Sequence, residues 1–334
     1  MSQPSARHFR NADPRPLDRE ASAVPAPITA NDLTRRFGDD VVVHDLDLHV
    51  DEGSIRGFVG PSGSGKTTTV RLLTGVLEPT GGRVRVFDTD PMQLTTAQRR
   101  RIGYMPQLGV LYPHLTVTQN LRFVADLYGV RKAKDRIADA LEMLDLTDAS
   151  GRPLRDCSGG MQRRVALAAA ILHEPDVLFL DEPTSGLDPV LRQRLWTRFQ
   201  ELRDEGKTLF VTTQIVSEAA MCDHVGLLAG GTMIADDTPD GLRRSAAGGD
   251  TVDLTASATI PTPVLERLAV RDDVRRIERV GDDGRTVRIV VADAAEGIEV
   301  LTAALHDADV DVVLAERHTA AFDDVFVALL EAQS

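Results

Sequence analysis

The sequence has no run of about 18 uncharged apolar residues, so no helix that crosses a membrane is expected from it. Cysteine is scarce: Cys157 and Cys222 form neither a disulfide framework nor a metal-binding spacing. In a reducing cytoplasm both are expected to be small buried residues. Lysine supplies only four of the 38 basic side chains (Lys66, Lys132, Lys134 and Lys207), a bias of composition that carries no chemistry of its own. The stretch from Met1 to about Ala26 is rich in Pro, Ala and Arg, lacks the apolar segment of a secretory signal, and is expected to be a disordered tail. Basic charge is missing where a nucleic-acid partner would need it. Net charge is −13, and from Gly249 to Ser334 eight arginines face eighteen carboxylates, a balance of −10, so no nucleic-acid partner is expected. With 334 residues, 42% of them hydrophobic, the chain is long enough for two domains, each with its own core.

What is present begins with Gly60-Pro61-Ser62-Gly63-Ser64-Gly65-Lys66-Thr67, a complete G-x-x-x-x-G-K-[ST] loop. An apolar strand over 55–59 is predicted to enter it, and a helix bearing Thr68, Val70, Leu72 and Leu73 to leave it. The glycines permit positive φ, so that backbone N–H groups and the positive end of the helix dipole converge on one anion. Lys66 adds a point charge for the β- and γ-phosphates of a nucleotide, and the Thr67 hydroxyl is a candidate magnesium ligand. A second Gly-Lys-Thr run, Gly206-Lys207-Thr208, has Glu201 where the first glycine of the motif would stand, and reads as a turn before a strand.

Val177-Leu178-Phe179-Leu180-Asp181-Glu182 ends a buried strand in two carboxylates, which a doubly wound sheet would set beside the phosphate loop. Asp181 is then a candidate to hold the magnesium and Glu182 to polarise an attacking water; the alternative is that Asp-Glu-Pro only caps the next helix. Between the two motifs, Cys157-Ser158-Gly159-Gly160-Met161-Gln162 opens a helix with a hydroxyl and two small residues. Such a start is either a second anion site or a plain N-cap.

Taken together these elements resemble the ATP-binding-cassette (ABC) ATPases. Ser158 to Gln162 is similar to the family's LSGGQ element, with Cys157 replacing the leading leucine and Met161 inserted before the glutamine; it lies 92 residues after Lys66 and 23 before Asp181. The resemblance covers roughly residues 27–242 and implies further roles. Phe37 matches the aromatic on which adenine stacks. Gln107, in Ile102-Gly103-Tyr104-Met105-Pro106-Gln107, matches the glutamine that senses the metal and the lytic water, and Leu108 to Tyr112 resemble the surface that receives a membrane partner. Ser185-Gly186-Leu187-Asp188 matches a loop whose aspartate works across a dimer interface. By this resemblance Gly60 to Thr68 would bind ATP, Thr67, Gln107 and Asp181 would organise Mg2+, and Glu182 would be the general base. Ser158, Gly159, Gly160, Gln162 and Asp188 would contact the nucleotide of a second subunit. One position departs from the family. In Thr212-Thr213-Gln214-Ile215-Val216-Ser217-Glu218-Ala219 the family has a histidine where this chain has Gln214, whose amide can donate a hydrogen bond to the γ-phosphate but cannot carry charge or shuttle a proton. His224 reads as an ordinary strand-edge residue.

The fold class expected is α/β: a P-loop NTPase cassette over 27–244, mostly parallel sheet with a helical subdomain at about 115–172, followed by a small α+β ferredoxin-like domain over 249–334. The subdomain reads as helices over 117–128, 135–144 and 160–172. The C-terminal part reads as strand 251–255, helix 263–268, strands 274–280 and 286–291 around an Asp282-Asp283-Gly284 turn, helix 297–306, strand 310–315 and helix 321–331. Ala321-Phe322-Asp323-Asp324-Val325-Phe326-Val327-Ala328-Leu329 resembles the ending of the drug-resistance (daunorubicin-type) and ABC-2 exporter ATPases. That branch implies a homodimer closing around two MgATP, driving a separately encoded integral membrane permease from the cytoplasmic face. An importer ATPase would usually carry a β-rich barrel instead. A relative acting on DNA or ribosomes would carry two cassettes or a long coiled coil, together with basic surfaces.

Overall fold

The computed structural model describes residues 26–107 and 111–332. The expected tail up to Pro25, and the Leu108–Val110 part of the expected partner surface, lie outside the described residues. The chain enters through β1 (Ile28–Phe37) and β2 (Asp40–Val50), passes β3 (Ile55–Val59) and α1 (Lys66–Leu73), and returns as β4 (Gly81–Val86). Strands β2, β1 and β4 pair antiparallel in that order as a separate three-stranded sheet. The expectation of a mostly parallel sheet over 27–244 did not separate this layer. Its signature is the alternation of buried and exposed residues along the second half of β2, the pattern of a sheet with one wet face.

After α2 (Thr96–Arg99) follow β5 (Ile102–Met105), the helices α3 (Val117–Tyr128), α4 (Ala133–Met143) and α5 (Gly159–Ile171), then β6 (Val177–Asp181), α6 (Pro189–Asp204), β7 (Thr208–Thr213), β8 (His224–Ala229) and β9 (Thr232–Asp237). The six strands line up as β5-β6-β7-β3-β8-β9, parallel except for the β8–β9 hairpin. Every residue of β3, β6 and β7 is buried, because helices cover one face and the antiparallel layer the other. β7 lies between β3 and β6, so the phosphate loop, Asp181 and Gln214 all leave the same edge of the sheet. Capping sets the helical insertion: Thr116 and Gln119 form a reciprocal capping box on α3, which ends at Gly129 in the left-handed region.

Beyond α7 (Pro239–Ala247) the order is β10 (Asp250–Ala256), α8 (Thr262–Ala269), β11 (Val274–Val280), β12 (Thr286–Val291), α9 (Ala294–His306), β13 (Val312–Arg317) and α10 (Phe322–Glu331). The four strands form an antiparallel sheet in the order β11-β12-β10-β13, and alternate residues of β10 point into a third core built with α8 and α9. The last helix departs from that unit. Phe322 and Val325 of α10 join the core of the cassette, against α7 and the 3₁₀ segment Val216–Met221. Arg243 secures the junction, its guanidinium 4.4 Å over the Phe322 ring and bonded to the Ala320 carbonyl at 3.2 Å.

Candidate functional site

The phosphate loop is built by glycine where no other residue fits. Gly63 and Gly65 take φ of 80° and 98°, and a Cβ on Gly65 would come within 2.6 Å of the Val42 carbonyl oxygen. Lys66 opens α1 with its side chain buried; Nζ donates to the carbonyls of Gly60 at 2.7 Å and Pro61 at 2.8 Å, and stands 3.8 Å from Glu182 Oε1. Burial pushes this ammonium below the ordinary lysine range, and the Glu182 and Asp181 carboxylates oppose the shift. Pro61 and Ser62 lie exposed at the loop's tip, while Ser64 Oγ is buried with no hydrogen-bond partner among the described residues.

Across from the loop, Asp181 Oδ1 accepts from Thr212 Oγ1 at 2.6 Å and from Thr67 Oγ1 at 3.2 Å. Its other oxygen, Oδ2, is buried without a hydrogen-bond partner among the described residues. An acceptor left bare in the interior is costly, and a hard cation is what would satisfy it. Glu182 adopts φ of 51°, a conformation few non-glycine residues hold, with its N–H bonded to Thr212. Both of its carboxylate oxygens are engaged: Oε1 by Gln214 Nε2 at 2.6 Å and Oε2 by Gln107 Nε2 at 2.8 Å. Lys66, Thr67, Gln107, Asp181, Glu182 and Gln214 therefore meet in one place.

Two residues in this cluster were not singled out in the sequence. Thr212 bridges Asp181 and Glu182; it was visible only as the first residue of the Thr-Thr-Gln run. Arg163 of α5 bonds the Gln107 carbonyl at 2.5 Å, a contact across 56 residues that no local pattern announces.

The remaining candidates stand apart from the cluster. Phe37, at the end of β1, is 44% exposed beneath the Arg35 guanidinium at 4.5 Å, so its ring is not core. Ser158 caps α5, accepting from Met161 N at 3.3 Å, and Gly160 lies so close to Leu187 that a Cβ would meet it at 3.2 Å. Gly159 borders open space. Gln162 turns back on its own chain, donating to the carbonyls of Leu154 and Cys157 at 3.2 and 3.0 Å. Asp188 caps α6 through Leu191 N at 3.0 Å. His224 pairs with Asp236 at 3.1 Å in the β8–β9 hairpin, and both cysteines are buried, the Cys222 thiol pushed well up by burial. Among the described residues no group of three His, Cys, Asp or Glu converges on a metal, and no helix is long and apolar enough to cross a membrane.

Residues 43–185 match the family model described as ABC transporter. The chain is 39% identical over 230 residues to the probable multidrug ABC transporter ATP-binding protein YbhF of Escherichia coli; the match takes in 68% of this chain but only 40% of that relative's length. It is 35% identical over 305 residues to the daunorubicin resistance ATP-binding protein DrrA3 of Streptomyces coeruleorubidus, covering 90% of this chain and 95% of that one. Among solved structures, an ATP binding subunit of an ABC transporter superposes with a TM-score of 0.61 at 29% identity, over 66% of this chain and 93% of that one.

Proposed function

The chain belongs to the family of ABC transporter ATP-binding proteins, and from that premise we propose that it is the ATP-hydrolysing subunit of an exporter, acting as a homodimer that closes around two ATP molecules. The observation that carries the reading is the convergence of Lys66, Gln107 and Gln214 on Glu182, beside an Asp181 oxygen still short of a partner. Lys66 would exchange the Gly60 and Pro61 carbonyls for phosphate oxygens, and the N–H groups of Gly63 to Thr68 would cradle the same anion. Phe37, part-exposed with Arg35 over its ring, offers an aromatic surface on which adenine would stack. Thr67, Gln107 and Asp181 would hold Mg2+, whose charge offsets that of the β- and γ-phosphates. Glu182 would accept the proton of the attacking water, and Gln214 would donate its amide to the γ-phosphate. Positioning and charge compensation supply most of the acceleration in such a reaction.

Dimer closure accounts for the elements that stand apart. The helix start at Ser158, Gly159 and Gly160 is an anion-binding N-terminus that its own phosphate loop does not use, and Asp188 borders it through Leu187. Gln162 is committed to its own turn and would serve by holding that start in shape. An exporter is favoured by the 95% coverage of the daunorubicin resistance relative, which includes the C-terminal part. The strand order β11-β12-β10-β13 with two helices on one face supports a small ferredoxin-like domain over 249–317. A cleft of about 220 Å3 lined by Tyr104, Pro106, Leu111, Tyr112, Phe123 and Tyr128 supports docking of an integral membrane permease, with this subunit peripheral on the cytoplasmic face. The acidic C-terminal part disfavours nucleic acid as a partner.

Glu182→Gln tests the reading. It preserves shape and removes the base, so equilibrium ATP binding should persist, an ATP-bound dimer should accumulate in size-exclusion chromatography, and turnover should nearly vanish. Full turnover by this variant would remove Glu182 as the base.

A further inference from the structure

We propose that Arg163 is a positioning residue for ATP hydrolysis, holding Gln107 against Glu182 and so tying the helix that starts at Ser158 to the base; the proposal rests on the reading of Glu182 given above. The geometry is a chain of three bonded groups. Arg163 Nη1 donates to the Gln107 carbonyl at 2.5 Å, and Gln107 Nε2 donates to Glu182 Oε2 at 2.8 Å. One end of the glutamine is thus fixed by α5, and the other fixes the carboxylate.

The guanidinium is costly to keep where it is. Its Nε is buried with no hydrogen-bond partner among the described residues, and burial lowers its pKa, opposed by the nearby Glu182 and Asp181 carboxylates. Arg164, the next residue, also has a buried Nε without a hydrogen-bond partner among the described residues, so what sets Arg163 apart is where its other nitrogens reach. Arg164 donates to the Leu144 and Asp145 carbonyls at 2.7 and 3.0 Å, closing the end of α4, away from the site. Adjacent arginines on one helix therefore face two different tasks. A shift of α5, whose first turn begins at Ser158, would carry the Gln107 backbone with it and alter the hold on Glu182.

The experiment uses the purified full-length chain, with steady-state ATPase rates and equilibrium ATP binding for Arg163→Met, Arg163→Lys, Arg164→Met, Gln107→Ala and the Arg163→Met/Gln107→Ala pair. Arg163→Met is expected to lower kcat roughly tenfold, about 1.4 kcal/mol, with ATP affinity unchanged. Arg163→Lys, which retains one donor, should recover part of that loss. The double variant should be no slower than Gln107→Ala alone, because both changes break the same chain. Arg164→Met should turn over normally. Losses that multiply in the double variant would overturn the proposal, as would ATP affinity falling in step with rate, or an equal loss in Arg164→Met. Should Arg163→Met not fold, Arg163→Lys decides by the same criteria, combined with Gln107→Ala. Failure of the underlying reading looks different: Glu182→Gln would then turn over at the full rate.

Discussion

In the cassette, Asp181, Glu182 and Glu218 are almost fully buried and are held mainly by uncharged donors: Thr67, Thr212 and Thr213 hydroxyls and the Gln107 and Gln214 amides. Their nearest cations, Lys66 and Arg192, stand 3.8 Å away from Glu182 and Glu218. In the C-terminal sheet the carboxylates answer directly to cations. Arg288 grips Asp253 across two strands with bonds of 2.8 and 2.9 Å, and His318 adds a third contact at 3.2 Å; in the turn before β11, Arg271 grips Asp273 in the same forked way. A carboxylate closed by a forked arginine has its charge compensated and its oxygens spent, which suits it to holding strands together. One held by hydroxyls and amides keeps its charge without a hydrogen-bonded cation, and at Asp181 one oxygen is left without a partner among the described residues. On the function proposed above, the same residue type is structural at Asp253 and chemical at Asp181 and Glu182, and the neighbours make the difference.

Neutralising one carboxylate from each region should break the comparison most sharply. Asp181→Asn is expected to cut Mg2+-dependent ATP hydrolysis by roughly a hundredfold or more, whereas Asp253→Asn should leave it near the parent rate. Comparable activity loss in both variants, measured as steady-state phosphate release, would show that the contrast in partners has no functional content.

The junction of the regions comes next. A chain ending near Arg244, cut between cassette and appendage, would be expected from the sequence alone to fold and bind ATP. The packing changes that expectation, because Phe322 and Val325 of α10 fill part of the cassette's own core. Phe322→Ala should cost about 3 kcal/mol or more in a denaturant titration, and removal of everything after Arg244 should cost more. A truncated cassette as stable as the full chain would mean that α10 contributes nothing to it.

Gln214 tests the neutral-donor idea at a single bond. Gln214→Ala should lower kcat by roughly ten- to a hundred-fold, about 1.5 to 3 kcal/mol for a bond to a charged group. Gln214→His should stay active and gain a pH dependence near the imidazole range. An alanine variant as fast as the parent would exclude Gln214 from catalysis.

The smallest effect concerns Asp253. Burial would raise its pKa, but the Arg288 hydrogen bonds and charge, with His318, outweigh that and hold it below the ordinary aspartate value. A depressed folded pKa adds stability that is present above the unfolded pKa and lost as pH falls through the folded one. Stability of the parent should therefore exceed that of Asp253→Asn at pH 7 by about 1 kcal/mol, with the gap closing below about pH 4. An unchanged gap at low pH would remove the ion pair as its cause.

The candidate site was legible in part because two of its pieces are contiguous runs. Gly60 to Thr67 and Asp181-Glu182 each sit at the end of an apolar run, and a parallel sheet brings such ends to one edge. The βαββαβ order after residue 249 was legible for a similar reason: alternation, turn residues and helical spacing are local patterns. Partnership was not. The strand period of β1 and β2 does not say that they leave the main sheet for their own antiparallel layer with β4. The apolar face of α10 follows from its sequence, yet whether it covers the neighbouring sheet or the cassette depends on which surface lies open after folding. Arg163 and Gln107, and Thr212 and Asp181, are separated by 56 and 31 residues. Which buried donor reaches which acceptor is decided only when the core closes, since most of the polar groups it takes from water must then find a partner within about 3 Å.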